Sequence, residues 1–329
     1  MITTRATANP HIARLEKNER GRDFVIGDIH GCLDAVERLL EKSSFDRTKD
    51  RLICTGDLTH RGPDSLGCLQ LLEEDWFLSV RGNHEANTLD ALNLHFGMPT
   101  TKTDAFYKLA ADGGLWLCEL VAKSFSSSPK APKVTQALAD AFRNIQQLPT
   151  ILLVGSNPEL TDPRAANKNK AFIVVHAGLV RSEDIAKGQG LWDAKDILEA
   201  AAGNRPLSNP ALLYESKSLG TIVKEMEAEG KLEALCADTI KDHLPPRIFC
   251  GHTPLSRPRL AFGHFHIDNG AGKEDRGERK RHLAMVDVES GEIWRTRANH
   301  PEIKIEPKDY ARRVSKALEK GLEIPPLLK

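Results

Sequence analysis

Six residues of metal-ligand type, Asp28, His30, Asp57, Asn83, His176 and His252, stand in five short glycine-flanked segments: Gly27-Asp28-Ile29-His30-Gly31, Gly56-Asp57, Gly82-Asn83-His84-Glu85, Val175-His176-Ala177-Gly178 and Gly251-His252-Thr253-Pro254. Alternate residues in Asp28-x-His30 can turn a carboxylate oxygen and an imidazole nitrogen to one borderline divalent cation. Holding two cations about 3.5 to 4 Å apart needs a bridging carboxylate, and Asp57 is the candidate. Asn83, His176 and His252 then complete the shell of the second ion. For any single histidine among the twelve in the chain, a surface or structural role is the plainer reading. The recurrence of glycine beside each ligand, permitting tight turns and close backbone approach, makes the set a site.

The elements that must carry these residues are visible as apolar, β-branched runs just before them: Phe24-Val25-Ile26, Leu52-Ile53-Cys54, Leu78-Ser79-Val80, Phe172-Ile173-Val174-Val175 and Ile248-Phe249-Cys250. Each ligand is expected on a loop leaving a strand, with the strand ends converging on one rim. Helical patterns at Cys32 to Lys42 and Ser65 to Glu74 alternate with the first strands in the βαβ rhythm of an α/β fold. A helical insertion is expected over about 86–148, with Asp104 to Ala111 and Val134 to Gln147 as helices and a Ser/Pro/Lys-rich break at Lys123 to Lys133. Strands resume at Thr150 to Val154 and Ala171 to Val175, around an exposed loop at Ser156 to Lys170. After a second insertion at about 198–243 come strand candidates Phe265 to Asp268 and Leu283 to Val288. The expected organisation is an extension over 1–21, a catalytic domain over 22–296, and a tail over 297–329 with a basic helix at Tyr310 to Gly321.

With 329 residues, 40% hydrophobic and 28% charged, the chain can bury a sizeable core. Lys plus Arg and Asp plus Glu both total 46, so no global attraction to DNA, RNA or a membrane surface is expected. The six cysteines include no C-x-x-C pair, which suits reduced thiols in a cytoplasmic protein. Met1 to Asp23 lacks the apolar stretch of a signal peptide, and no run of eighteen apolar residues exists.

Taken in order, GDIHG, GDLTHRG, RGNHE, HAG and GHTP resemble the calcineurin-like metallophosphoesterase superfamily in its phosphoprotein-phosphatase branch, with greatest likeness to bacteriophage and bacterial Ser/Thr protein phosphatases. Asp112-Gly113-Gly114, Leu148-Pro149, Leu191-Trp192 and Ile267-Asp268-Asn269-Gly270-Ala271 add support in the right order, and the likeness spans roughly Arg22 to Ile293. The resemblance implies a four-layer α/β fold, two packed sheets flanked by helices, with a dinuclear metal site at the sheet edges. It implies that Asp28, His30 and Asp57 bind one ion and Asp57, Asn83, His176 and His252 the other, with manganese, iron or zinc as the metal. The implied reaction is hydrolysis of a phosphate monoester by a hydroxide bridging the two ions. Arg61 is implied to grip phosphate oxygens through its planar fork, and His84 to protonate the leaving oxygen. Phosphorylated protein is the implied substrate class.

Two positions depart from the pattern. His60 stands where the family carries an aspartate that pairs with the proton-donating histidine. A neutral imidazole can orient His84 but does not raise its pKa as a carboxylate does. Diadenosine tetraphosphatases also tend to lack that aspartate, and Arg61-Gly62-Pro63-Asp64-Ser65-Leu66 looks like their R-G-P-x-S-L run, so a dinucleoside polyphosphate is the alternative substrate. Ala194 occupies the place of a second phosphate-binding arginine, with Lys195 or Arg205 as substitutes. A non-catalytic regulator that binds phosphorylated partners is the third reading, disfavoured by the complete set of ligands.

Overall fold

The computed structural model describes residues 5–7, 9–100, 102–155, 171–179, 194–203, 248–261, 264–273, 281–297 and 303–305. Strands β1 (Arg5–Ala6), β2 (Ile12–Leu15), β6 (Ile151–Val154), β7 (Phe172–Val175), β8 (Ile248–Cys250), β9 (Arg259–Ala261) and β10 (His264–His266) form one sheet, in the order β1-β2-β6-β7-β8-β10-β9. Strands β3 (Asp23–Ile26), β4 (Arg51–Cys54), β5 (Phe77–Ser79), β11 (Leu283–Asp287), β12 (Ile293–Thr296) and β13 (Ile303–Ile305) form the other, in the order β13-β12-β11-β3-β4-β5. Between and beside them run α1 (Leu33–Lys42), α2 (Ser65–Gln70), α3 (Asn83–His95), α4 (Ala105–Ala111), α5 (Leu115–Ser124), α6 (Ala131–Gln146) and α7 (Ala194–Ala201).

The layering follows from strands that are apolar on both faces. Side chains alternate along a strand, so a strand covered on both sides reads as a continuous apolar run. In β3, Val25 faces the space between the sheets while Phe24 and Ile26 face the helices. In β7, Phe172 and Val174 turn to the other sheet, and Ile173 and Val175 pack with Ile197 and Ala200 of α7. Helices, sheet, sheet and helix therefore stack as four layers, as the α/β expectation required.

The direction of the strands places the site. β3, β4 and β5 are mutually parallel, and β8 is parallel to both β7 and β10. The C-terminal ends of the parallel strands meet along one rim, where short loops leave for helices or turns. The paired guanidinium of Arg51 and carboxylate of Asp23 (2.6 and 2.7 Å) tie β3 to β4 at the opposite end.

Residues 1–21, expected as an extension, contribute β2, which pairs in parallel with β6 and buries Ile12 and Leu15. With only two large apolar residues in Ile12-Ala13-Arg14-Leu15, the run is too short to stand out in sequence. Beyond Thr296, β13 adds one more antiparallel strand to β12. Over 86–148 the chain is helical, with α4 on the expected Asp104 to Ala111 and α6 overlapping the expected Val134 to Gln147, but the break at Lys123 to Lys133 shrinks to the six residues between α5 and α6, because Pro132 sits in the first turn of α6, where its missing N–H costs nothing. The expected loop at Ser156 to Lys170, the second insertion beyond Gly203 and the basic tail helix lie outside the described residues.

Phe249 anchors the interface between the sheets: it is fully buried, with ring centroids 5.6 Å from Phe172 and 5.7 Å from Phe265. Phe249→Ala is expected to lower stability by roughly 3 to 5 kcal/mol through lost burial and a residual cavity. Urea unfolding followed by circular dichroism checks this; a loss under about 1 kcal/mol refutes the anchoring role.

Candidate metal centre and active site

The rim brings the six sequence-marked ligands together, each one to four residues past a strand end. Asp28 and His30 follow β3, Asp57 follows β4, Asn83 opens α3 after β5, His176 follows β7 and His252 follows β8. The turns are tightly wound. Six non-glycine residues among those described have positive φ, and five of them, His30, Asp57, His60, Arg61 and His252, belong to the site. Each such left-handed residue costs on the order of 1 to 3 kcal/mol and persists only where its surroundings over-determine it. Close approach adds to the constraint: a Cβ on Gly251 would lie 1.9 Å from Asp28 Oδ1, and one on Gly82 2.2 Å from Asp57 Oδ1.

Asp57 is the centre of the arrangement. Its Oδ2 lies 3.7 Å from His30 Nε2 and 3.8 Å from His84 Nε2 on one side, and 3.4 Å from His176 Nε2 on the other. Two overlapping groups of ligand atoms result, His30, Asp57 and His84, and Asp57, His176 and His252. Asn83 joins the second, its Oδ1 2.9 Å from His252 Nδ1 and 3.1 Å from His176 Nε2. Asp28 stands behind them and is fully engaged: Oδ1 accepts from the Thr55 hydroxyl (2.9 Å) and Oδ2 from the His252 backbone N–H (2.8 Å).

The tautomers of two ligands are set by backbone carbonyls. His176 Nδ1 donates to Thr55 O (2.8 Å) and His30 Nδ1 to Thr59 O (3.0 Å), which leaves each Nε2 as the nitrogen turned to Asp57. Such bonds orient metal-binding imidazoles in general. His252 Nδ1 lies 3.0 Å from His176 Nε2 and 2.9 Å from Asn83 Oδ1, so two rings, an amide and a carboxylate converge on one point. Burial lowers the His176 imidazole, but Asp57 outweighs it and pushes it up to about 10, while burial and His176 hold His252 down at about 3. The donor set of mixed oxygen and nitrogen fits a borderline divalent ion.

Arg61 and His84 complete the near side. One guanidinium nitrogen of Arg61 donates to His30 Nε2 and the other to His84 Nε2 at 2.9 Å. The Arg61 backbone N–H is held by Gly113 O (3.2 Å), so the Asp112-Gly113-Gly114 segment braces the arginine from the helical insertion. His84 Nδ1 meets His60 Nδ1, and His60 Nε2 meets Thr88 Oγ1 at 3.1 Å. Burial brings His84 down to about 4 and His60 to about 3, so both rings are neutral at pH 7 with the site in this state. Lys195 lies in the first turn of α7, with its side chain outside the described residues, as is Arg205. Lys273 is the further cation at the rim: its neighbour Gly272 packs on His30 and Arg61, and its charge acts on Asp268, Arg61 and Asp28.

The residue that sequence reasoning passed over is Glu85. Its Oε2 accepts from the backbone N–H groups of Asp57 (2.7 Å) and Gly82 (3.0 Å), and its Oε1 from Leu58 N–H (2.8 Å). The signal was its place three residues after the Gly82 N-cap, where an acidic side chain reaches back to the cap. Asp268 was likewise quoted only as part of a motif. It is buried, its charge acts on Asp28 and Asp57, and its Oδ1 accepts from Gly270 N–H at 2.7 Å.

A family model described as calcineurin-like phosphoesterase matches residues 24–276. The chain belongs to the calcineurin-like phosphoesterase family. Over 78 residues it is 50% identical to serine/threonine-protein phosphatase 1 of Salmonella typhimurium, covering 24% of this chain but only 36% of that protein. Serine/threonine-protein phosphatase 2 of Escherichia coli K12 is 30% identical over 193 residues, 57% of this chain and 75% of that protein. A symmetrical bis(5'-nucleosyl)-tetraphosphatase of Glaesserella parasuis is 38% identical over 88 residues, 26% of this chain and 32% of that protein. This phosphoesterase is thus a hydrolase with a His/Asp cluster suited to metal. No helix among its described residues is long and apolar enough to cross a membrane.

Metal binding is expected to stabilise the fold by mass action, by about 2.7 kcal/mol at a concentration of 100 times Kd. Adding manganese to chelator-treated protein should therefore raise Tm, and Asp57→Asn should abolish the rise. A metal-induced shift that survives Asp57→Asn would show that the cluster is not the binding site.

Proposed function

We propose that this phosphoesterase hydrolyses phosphate monoesters, with phosphoserine and phosphothreonine in proteins as its substrates. The observation that carries the reading is Asp57 Oδ2, shared between two clusters of ligand atoms and flanked by the Arg61 fork and by His84. Asp28, His30, Asp57, Asn83, His176 and His252 would hold two divalent ions, manganese by preference, which supply Lewis acidity toward phosphoryl oxygen and lower the pKa of bound water. Five free cysteines among the described residues fit work in a reducing compartment such as the cytoplasm.

The protein's own groups then divide the labour. Arg61 leaves its imidazole partners for the phosphoryl oxygens, which it meets with two parallel N–H donors. That exchange frees His84 Nε2, 3.8 Å from Asp57, to face the ester oxygen. As water oxygen bonds to phosphorus, the P–O electron pair leaves with the ester oxygen and takes a proton from His84. The proton that water gives up restores His84. Arriving phosphate dianion beside Nε2 favours the protonated ring and opposes the lowering caused by burial. His60 orients His84, and Lys195 is proposed as an auxiliary phosphate contact from α7.

His60 also supports a second reading, a dinucleoside polyphosphate hydrolase. A phosphoanhydride leaving group needs little protonation, and His60 supplies no negative charge to keep His84 protonated. The partial identity to a symmetrical bis(5'-nucleosyl)-tetraphosphatase agrees with it.

Manganese-dependent turnover of p-nitrophenyl phosphate is expected, with a loss of at least about a thousandfold in Asp57→Asn. Competition between a phosphothreonine peptide and diadenosine tetraphosphate separates the readings through kcat/KM: preference for the peptide supports the first, and a clear preference for the dinucleotide overturns it. His60→Asp should raise kcat/KM for alkyl phosphates more than for p-nitrophenyl phosphate, by roughly tenfold; equal effects on both leaving groups would detach His60 from the acid.

A further inference from the structure

A carboxylate placed behind His84 accepts its Nδ1–H in any orientation, because it has only lone pairs to offer. An imidazole in that place has two tautomers, and one of them points a second N–H at the first. The hydrogen-bond partners around the two rings point to one of these tautomers. Thr88, one turn along α3 and fully buried, has a hydroxyl that donates to the carbonyl of His84 at 2.8 Å. A hydroxyl has a single proton, so toward His60 Nε2, 3.1 Å away, Thr88 Oγ1 can act only as acceptor. His60 must carry its proton on Nε2. Its Nδ1 is then a lone pair, and the proton in the contact between the two rings belongs to His84 Nδ1.

The near end enforces the same direction. Arg61 has donors alone, and it meets His84 Nε2 at 2.9 Å, so that nitrogen is bare in the resting site. The chain runs one way, from Arg61 to His84 to His60 to Thr88 and back to the His84 carbonyl. Reversing it would set an N–H on His84 against the guanidinium. Once Arg61 turns to a phosphate, that constraint is gone, and Thr88 alone keeps the direction.

We propose that Thr88 is a positioning residue of the hydrolytic site, locking His60 as a hydrogen-bond acceptor so that His84 keeps its Nδ1–H and exchanges protons with the leaving oxygen only through Nε2. This rests on the reading of His84 as proton donor. A histidine thereby replaces a carboxylate through a hydroxyl that sequence comparison of the motif alone does not reveal.

Two measurements test it. In zinc-loaded protein labelled with ¹⁵N in histidine, long-range ¹H–¹⁵N spectra should show His60 protonated at Nε2 and bare at Nδ1; the opposite tautomer overturns the proposal without any assay of activity. In kinetics, Thr88→Val should lower the ratio of kcat/KM for an alkyl phosphate to that for p-nitrophenyl phosphate by about tenfold, since only the poor leaving group needs the aligned proton. Thr88→Ser should restore the ratio. In the His60→Asp background, where no tautomer needs fixing, Thr88→Val should leave the ratio where it was; an equal fall in both backgrounds reveals a packing effect and overturns the proposal. Should Thr88→Val fail to fold, the tautomer of His60 in wild type and in Thr88→Ser decides. Absence of all phosphate-ester hydrolysis in metal-loaded wild type would remove the phosphatase reading, while the tautomer measurement would still decide what Thr88 does.

Discussion

The grip of Glu85 on the turn after β4 is the interaction on which the site depends. Asp57 must lean its carboxylate toward two groups of ligands at once, and it does so with φ at 51°, a conformation disfavoured for any residue with a Cβ. Three backbone donors from Asp57, Leu58 and Gly82 converge on one buried carboxylate. Hydrogen bonds to a charged group contribute about 1.5 to 3 kcal/mol each, enough together to offset strain of about 1 to 3 kcal/mol at that residue. Because Gly82 caps α3, the same carboxylate fixes where Asn83 and His84 begin. One side chain thus sets the position of the shared carboxylate, the Asn83 amide and the His84 ring.

The second constraint is charge. Asp28, Asp57, Glu85 and Asp268 are all buried within one rim, and burial disfavours their ionised forms. Asp28 is driven well above the usual carboxylate range by burial and by Asp268, and Glu85 is pushed up to about 7 by burial and by Asp57, whereas Asp57, despite its burial, is held well below by His176. Such a set is frustrated without cations. Every hydrogen bond that Glu85 makes is with a donor, the pattern of an ionised group, and divalent charge at the neighbouring ligands would favour that form. The fold therefore carries, in the electrostatics of its own carboxylates, a requirement for positive charge.

What was legible in the sequence divides along a physical line. Strands such as Phe172–Val175 announce themselves because both faces are apolar, and the ligands after them because short glycine-flanked turns leave few other uses for Asp and His. β2 was not legible, since its Ile12 and Leu15 find their cover only when β6 arrives from 139 residues later. Glu85 and Thr88 were missed for a related reason. Their side chains act on backbone groups and a ring that are 27 or 28 residues away in sequence, and a residue type that caps helices everywhere carries no mark of that use. His60 was visible as an exception to a motif, but the motif could not say what replaces the lost carboxylate.

That replacement bears on substrate choice. A carboxylate behind His84 would add a negative charge that strengthens its conjugate acid; an imidazole held by Thr88 keeps the geometry and omits the charge. Alignment is retained while driving force is reduced. Esters with good leaving groups lose little under those conditions, because their oxygen departs without a full proton, whereas serine and threonine alkoxides depend on the proton strongly. For a protein phosphatase to work with this pair, the missing negative field must come from the bound phosphate and from Asp57, against the opposing charge of cations beside it. The 3.8 Å between His84 Nε2 and Asp57 Oδ2 is short enough for that carboxylate, once freed of competing protons, to act on His84 through space. On the proposed reading of His84 as proton donor, substrate range would follow less from its presence than from how much negative charge the occupied site leaves within reach of its ring.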